Sequence, residues 1–265
     1  MVVTPEQTAK GPPHVWCRFC GAWGRIDSPQ QDVEERRRFK APALQEPKID
    51  EQIIDQLRSD LSGREAFFHS RGLNAQTIQR YQLGYHRKYN RYAIPCYFGG
   101  KLYGIKYRID PVVEQKRKER GEPVIKYFSE RGGVNNIVFN DAVARAPVPY
   151  VLIDEGELDA LLLTQHGFPT ISPFSGNNSS VGWRPEWLKL IRHIPKIYVI
   201  AQNDNAGELI TIARLHDLGR GEVISAPSGY KDLGEWLRGI APAHRTRELV
   251  NLLQLPPAQE ELWLN

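Results

Sequence analysis

From residue 149 onward the chain alternates short apolar, β-branched runs with segments of helical spacing, and few architectures accept that order. Residues 150–155 read as a strand and 157–166 as a helix carrying Leu158, Leu161 and Leu162, stopped by Gly167. A strand follows at 169–172, then a helix marked by Trp187, Leu188 and Ile191, then a strand at 196–201. The turn 202–207 leads to a helix through Ile210, Ala213 and Leu215. A strand at 222–225 and a last helix opening at Lys231-Asp232 complete the series. The alternation predicts an α/β fold, a mostly parallel sheet with helices on both faces. Such sheets hold their chemistry at the carboxyl ends of the strands.

Residues 151–163, VLIDEGELDALLL, head this region. Glu155 lies at the tip of a buried strand, with Gly156 expected to make the turn. Asp159 falls four residues later in the first helical turn, so the two carboxylates can face one crevice. The competing reading is that both favour the positive end of the helix. Glu155, Asp204 and Asp232 are each expected just beyond a strand end, where convergent carboxylates repel and a hard divalent cation such as Mg2+ relieves the repulsion. A cation held by few carboxylates also takes substrate phosphates, which makes phosphoryl transfer the natural chemistry.

The preceding hundred residues read differently. Ile49, Ile53, Ile54, Leu57 and Leu61 share one helical face, a short helix carries Phe67 and Phe68, and Asn74 is a good N-cap for a third. Residues 91–109 predict a β-hairpin turning at Gly99-Gly100. Lys106 and Arg108, two apart on its second strand, share a face, and a bound anion would explain two adjacent cations; an exposed polar face is the alternative. Lys126, between aromatic neighbours in IKYF, adds a third cation, a mixture that suits single-stranded nucleic acid. Basic residues crowd 101–120, whereas the net charge of +4 on 265 residues is mild.

Near the start, His14, Cys17 and Cys20 offer three of the four ligands of a zinc site. Bound zinc, a relic half-site and a site completed by another chain all remain open. With three cysteines, no apolar leader segment and no apolar run of about 18 residues, a disulfide framework and a membrane span are not expected. A cytoplasmic location is. The expected divisions are a partial zinc-ribbon-like segment at 1–26, a linker at 27–48, an α+β subdomain at 49–148, the parallel-sheet domain at 149–240 and an amphipathic tail at 241–265. No G-x-x-x-x-G-K-[ST] phosphate loop occurs, so a helicase domain is not expected in this sequence.

Glu155-Gly-Glu-Leu-Asp159, Asn203-Asp204-Asn205-Ala206-Gly207 and Lys231-Asp232, in this order, resemble the TOPRIM fold of topoisomerases, primases and some nucleases. The segments RGLNAQTIQRYQLGY, IPCYFGGKLYGIKYRI and IKYF resemble the polymerase core of bacterial and phage replicative (DnaG-like) primases. HVWCRFCGAWGRID is similar to the second half of their zinc ribbon. The resemblance implies a DNA primase of a phage, plasmid or other mobile element that makes RNA primers with Mg2+ or Mn2+. Its implied partners are a single-stranded DNA template, ribonucleoside triphosphates and a separate replicative helicase. It implies a catalytic role for Glu155, with Asp159 beside it. Metal would be held by Glu155, Gln202, Asp204 and Asp232, and nucleotide or template by Lys106, Arg108 and Lys126. Two departures stand out: Gln202 occupies the place of the first aspartate of Asp-x-Asp-x-Ala-Gly, and the ribbon's first ligand pair has no counterpart before His14. The alternatives are an inactive TOPRIM nucleic-acid-binding protein and a TOPRIM nuclease.

Overall fold

The computed structural model describes residues 14–16, 23–25, 45–134, 137–174, 185–203, 211, 215 and 218–258. The chain divides into two compact units, 1–44 and 45–265. In the first, β1 (His14–Trp16) and β2 (Trp23–Arg25) pair antiparallel, with Trp16 opposite Trp23. Cys17 and Cys20 fall between these strands in sequence and lie outside the described residues, as does most of the expected linker.

The second unit opens with α1 (Ile53–Leu61), which buries Ile54, Leu57 and Leu61. Two short helices follow, α2 (Ala66–Ser70) and α3 (Ala75–Arg80). The Asn74 side chain accepts the Thr77 N–H at 2.8 Å, satisfying an otherwise orphaned donor of α3 as expected. The 91–109 hairpin forms from β4 (Arg91–Phe98) and β5 (Lys101–Ile109), and Gly99 and Gly100 take the positive φ values, 59° and 80°, that a two-residue turn demands. It is the centre of a larger antiparallel sheet, because β3 (Gly84–His86) and β6 (Tyr127–Ser129) flank it in the order β3-β4-β5-β6. Much of the basic stretch after β5 forms α4 (Pro111–Glu119), capped by Asp110 and burying none of its residues.

The sheet's two faces enter different cores. Ala93, Leu102, Ile105 and Tyr107 pack with Ile54 and Leu57 of α1. Tyr92, Ile94 and Cys96 face the larger core with Phe68, Leu161 and Phe174. Lys106 and Arg108 share that second face, opposite Ile94 and Tyr92 across the ladder. Gly104 brings the two sheets together: a Cβ there would stand 2.6 Å from the Phe174 ring, so no other residue permits this approach without displacement.

The region after residue 136 contains β7 (Ile137–Phe139), α5 (Asp141–Arg145), β8 (Tyr150–Ile153), α6 (Glu157–Gln165), β9 (Thr170–Phe174), α7 (Pro185–Ile191), β10 (Lys196–Ala201), β11 (Glu222–Ser225) and α8 (Leu233–Arg238). Five strands form one sheet in the order β11-β10-β8-β9-β7, with β7 antiparallel to β9 and the other pairings parallel. Side-chain alternation along β8 explains the helices on both faces. Tyr150 and Leu152 join a core with Leu158 and Leu161 of α6 and Leu233 and Leu237 of α8, whereas Val151 and Ile153 join Val143 of α5 and Trp187 and Ile191 of α7. The helix expected after Gly207 lies largely outside the described residues.

The tail is part of the core. Leu249 and Leu253 of α9 (Arg245–Leu253), with Leu255, are buried beside α6 residues, the Tyr150 hydroxyl donates to the Pro256 carbonyl at 2.7 Å, and the Ala258 N–H donates to that of Gly167 at 2.8 Å. Leu262 and Trp263 lie outside the described residues. Among the described residues no helix is long and apolar enough to cross a membrane.

Candidate active site

The turn after β8 is built by Asp154 rather than by Gly156. The buried Asp154 accepts the Gly156 N–H at 3.0 Å, an Asx-type turn, while its own N–H donates to Ile171 of β9 at 2.9 Å. Gly156 has φ −112°, open to any residue, and serves as the N-cap of α6. The turn presents Glu155, half-buried and without a hydrogen bond or ion pair among the described residues.

Asp159 is engaged instead by cations. Arg71 Nη2, from the end of α2, stands 2.9 and 3.1 Å from its two oxygens, and Arg238 Nη1 of α8 is 3.3 Å from Oδ1. Burial pushes the Asp159 carboxyl above the ordinary aspartate range, a shift the Arg71 guanidinium opposes. Gly234 of α8 admits this cluster, because a Cβ there would lie 2.1 Å from Asp159 Oδ1.

Lys106 and Arg108 are neutralised within the fold. Lys106 forms a buried ion pair with Glu157, the first residue of α6, their side chains 11% and 7% exposed. Arg108 Nη2 donates to Glu114 Oε2 of α4 at 2.6 Å, and Lys118 shares that carboxylate at 2.8 Å. A bound anion is therefore not needed to reconcile the two neighbouring cations. Lys126 is exposed, its Nζ 5.7 Å from the Tyr127 ring centroid. Partial desolvation of its ammonium by the surrounding fold, followed by the nearby Arg108 charge, lowers its pKa even so.

Gln202 comes one residue after β10, on the strand beside β8, and the pairing of Val199 with Ile153 brings both strands out at one edge. It is half-buried and has no hydrogen bond among the described residues; Asp204 lies outside them. Asp232 is not directly beyond a strand end, being seven residues after Ser225. It caps α8, its Oδ1 accepting the Glu235 N–H at 2.6 Å while Glu235 Oε2 accepts the Lys231 N–H at 2.6 Å. The loop nevertheless returns to the edge, since the Asn203 N–H donates to the Lys231 carbonyl at 2.8 Å.

Among the described residues no group of three or more His, Cys, Asp or Glu side chains gathers to hold a metal. Glu155, Gln202 and Asp232 supply only oxygen donors, the chemistry of a hard cation rather than of zinc. Sequence reasoning missed Asp154, Glu157, Arg71, Arg238 and Asn203. The sequence pointed the other way for Lys106: it alternates with Ile105 and Tyr107 as on a half-exposed strand, and only the fold buries both faces of β5 and so requires a partner for the cation.

No protein-family model matches the chain, and no curated protein matches its sequence. Solved structures do. A DNA primase domain from Pseudomonas aeruginosa aligns with TM-score 0.57 and 16% identity over 74% of this chain and 75% of that one. The zinc-binding and RNA polymerase domains of the Aquifex aeolicus primase align with TM-score 0.58 and 17% identity over 96% and 77%. The primase fragment of the bacteriophage T7 primase-helicase protein gives 0.51 and 17% over 89% and 90%. The chain has the fold of the bacterial and phage DnaG-type primase domain.

Proposed function

We propose that this protein is a DNA primase-like nucleotidyltransferase whose five-stranded sheet is a TOPRIM domain, and that it makes short RNA primers on single-stranded DNA. The observation that carries the proposal is the likeness to three primase structures over most of the chain, joined to a Glu155 that has no partner among the described residues and stands at the carboxyl edge of a parallel sheet. In the reaction a ribonucleotide 3′-oxygen bonds to the α-phosphorus of a triphosphate, the bond to pyrophosphate breaks, and Glu155 takes the hydroxyl proton. Glu155, Gln202 and Asp232, with Asp204, would hold Mg2+ or Mn2+, which neutralises charge on the phosphates. Asp159 positions α6 through Arg71 and Arg238. Of Lys106, Arg108 and Lys126, only Lys126 is exposed to meet template or nucleotide phosphates, while Lys106 and Arg108 shape the face beside it. A separate helicase and a cytoplasmic setting complete the reading; in bacteriophage T7 the similar fragment belongs to a primase-helicase protein. His14, Cys17 and Cys20 are a zinc half-site in this proposal.

A second reading, a nucleic-acid-binding protein without catalysis, is favoured by Gln202, which removes one negative charge from an edge that works by charge. Incubation with single-stranded DNA, labelled ribonucleotides and Mg2+ or Mn2+ separates the two. Primers abolished by Glu155→Ala support the first, and DNA binding without primers under either metal supports the second. Gln202→Asp is expected to tighten Mn2+ binding and raise synthesis. If neither changes while Glu155→Ala abolishes activity, Gln202 is not at the metal site.

A further inference from the structure

The loop from Ala226 to Lys231 carries Asp232 to the head of α8 and is closed by its own turn, the Tyr230 N–H donating to the Pro227 carbonyl at 3.2 Å. Nothing in that turn fixes where the loop sits relative to β10. Asn203 does. Its side-chain Nδ2 donates to the carbonyl of Ala226 at 3.1 Å, where the loop begins, and to that of Tyr230 at 2.8 Å, where it ends. Its backbone N–H adds the bond to Lys231 at 2.8 Å. A primary amide offers two hydrogens from one nitrogen, so a single side chain spans both feet of the loop. Serine has one hydrogen to give, and an aspartate would set a carboxylate against two carbonyl oxygens.

We propose that Asn203 is a positioning residue that pins the neck of the 226–231 loop, setting Asp232 beside the turn of Gln202 before any cation arrives. Where one carboxylate is missing, a cation has less charge with which to draw the loop inward, and neutral hydrogen bonds do that work in advance. Lower ordering cost on binding then offsets part of the affinity that Gln202 forfeits. The catalytic consequence rests on the primase reading; the positional one does not.

The test compares the full chain with Asn203→Ala, Asn203→Asp and Asn203→Ser. Amide exchange is followed across 224–232 without metal and with saturating Mn2+, alongside Mn2+ titration and primer synthesis. Metal-free protection in that segment should fall about tenfold in Asn203→Ala, as expected when a local opening loses a hydrogen-bonded closure. The fall should be at least as large in Asn203→Asp and smaller in Asn203→Ser. Half-saturation by Mn2+ should rise several-fold in Asn203→Ala, with saturating Mn2+ restoring protection. Unchanged protection in both Asn203→Ala and Asn203→Asp overturns the proposal. Lost protection in a protein whose parent form makes no primers leaves the positional role standing and removes the primase reading instead.

Discussion

Lys106 was expected to meet an anionic ligand and instead meets Glu157, and the energetics of that pair decide what the lysine is for. Both side chains are almost withdrawn from water, at 11% and 7% exposure. Lys106→Met leaves the Glu157 carboxylate stranded in the core, which costs about 3–5 kcal/mol for a buried pair broken on one side. That is a large part of the roughly 5–15 kcal/mol that holds a domain together. The double replacement Lys106→Met with Glu157→Leu removes both charges and should recover most of the loss, since a buried pair exchanged for apolar groups is often neutral or better. Urea unfolding of the parent, both single variants and the double variant at pH 7 gives the midpoints and the coupling energy. A cost below about 1 kcal/mol for Lys106→Met, without coupling in the cycle, would refute the reasoning: the pair would then behave like an exposed one. The ammonium would be free for a phosphate.

Two further outcomes follow from the packing around α6. Gly234→Ala puts a Cβ where Asp159 Oδ1 stands and should cost about 1–3 kcal/mol of overpacking, measured as a lowered urea midpoint with unchanged slope, because α8 must move off α6. His166, at the end of α6, donates to or accepts from Thr246 Oγ1 through Nδ1 at 3.0 Å, and its Nε2 is buried without a partner among the described residues. Burial, helped by the Arg245 charge, lowers its pKa to about 4. A histidine pKa lowered by folding means that stability is fully present above the unfolded value near about 6.5 and falls as pH drops toward 4. After allowance for the ring's partial exposure, the loss is about 2 kcal/mol. Midpoints for the parent and His166→Gln between pH 7 and 4 should converge at the acid end, and parallel curves would remove His166 from the account.

What the sequence disclosed was local. The Gly99-Gly100 turn, the Asn74 cap and the strand–helix alternation after residue 149 each depend on neighbours within a few positions, and each recurs in the fold. The short strands β3 and β7, three residues each, carry too little periodicity to stand out, and α4 reads as a charge run because no face of it is buried. The candidate site was legible as a list of acids and obscure as an arrangement. Asp159 meets Arg71 across 88 residues and Arg238 across 79, and Lys106 meets Glu157 across 51. Lys106 and Glu157 belong to different sheets' elements, Asp159 and Arg238 to two helices packed together, and no periodicity in either partner's own segment encodes such pairings. Asp232 shows the same limit: its distance from β11 hides that its loop is folded back onto Asn203.

Strand β8 has a consequence for how this chain tolerates change. Because Leu152 and Ile153 look into cores on opposite sides of the sheet, adjacent letters of the sequence answer to separate neighbourhoods. A substitution at 152 is felt by α6, α8 and the hairpin sheet. One at 153 is absorbed among α5, α7 and Ile197. Effects on one side should couple, whereas effects on opposite sides should add. The half of the domain formed by α5 and α7 is therefore free to drift, accumulating exchanges of volume and shape, while the other half stays bound to α6, α8 and the hairpin sheet.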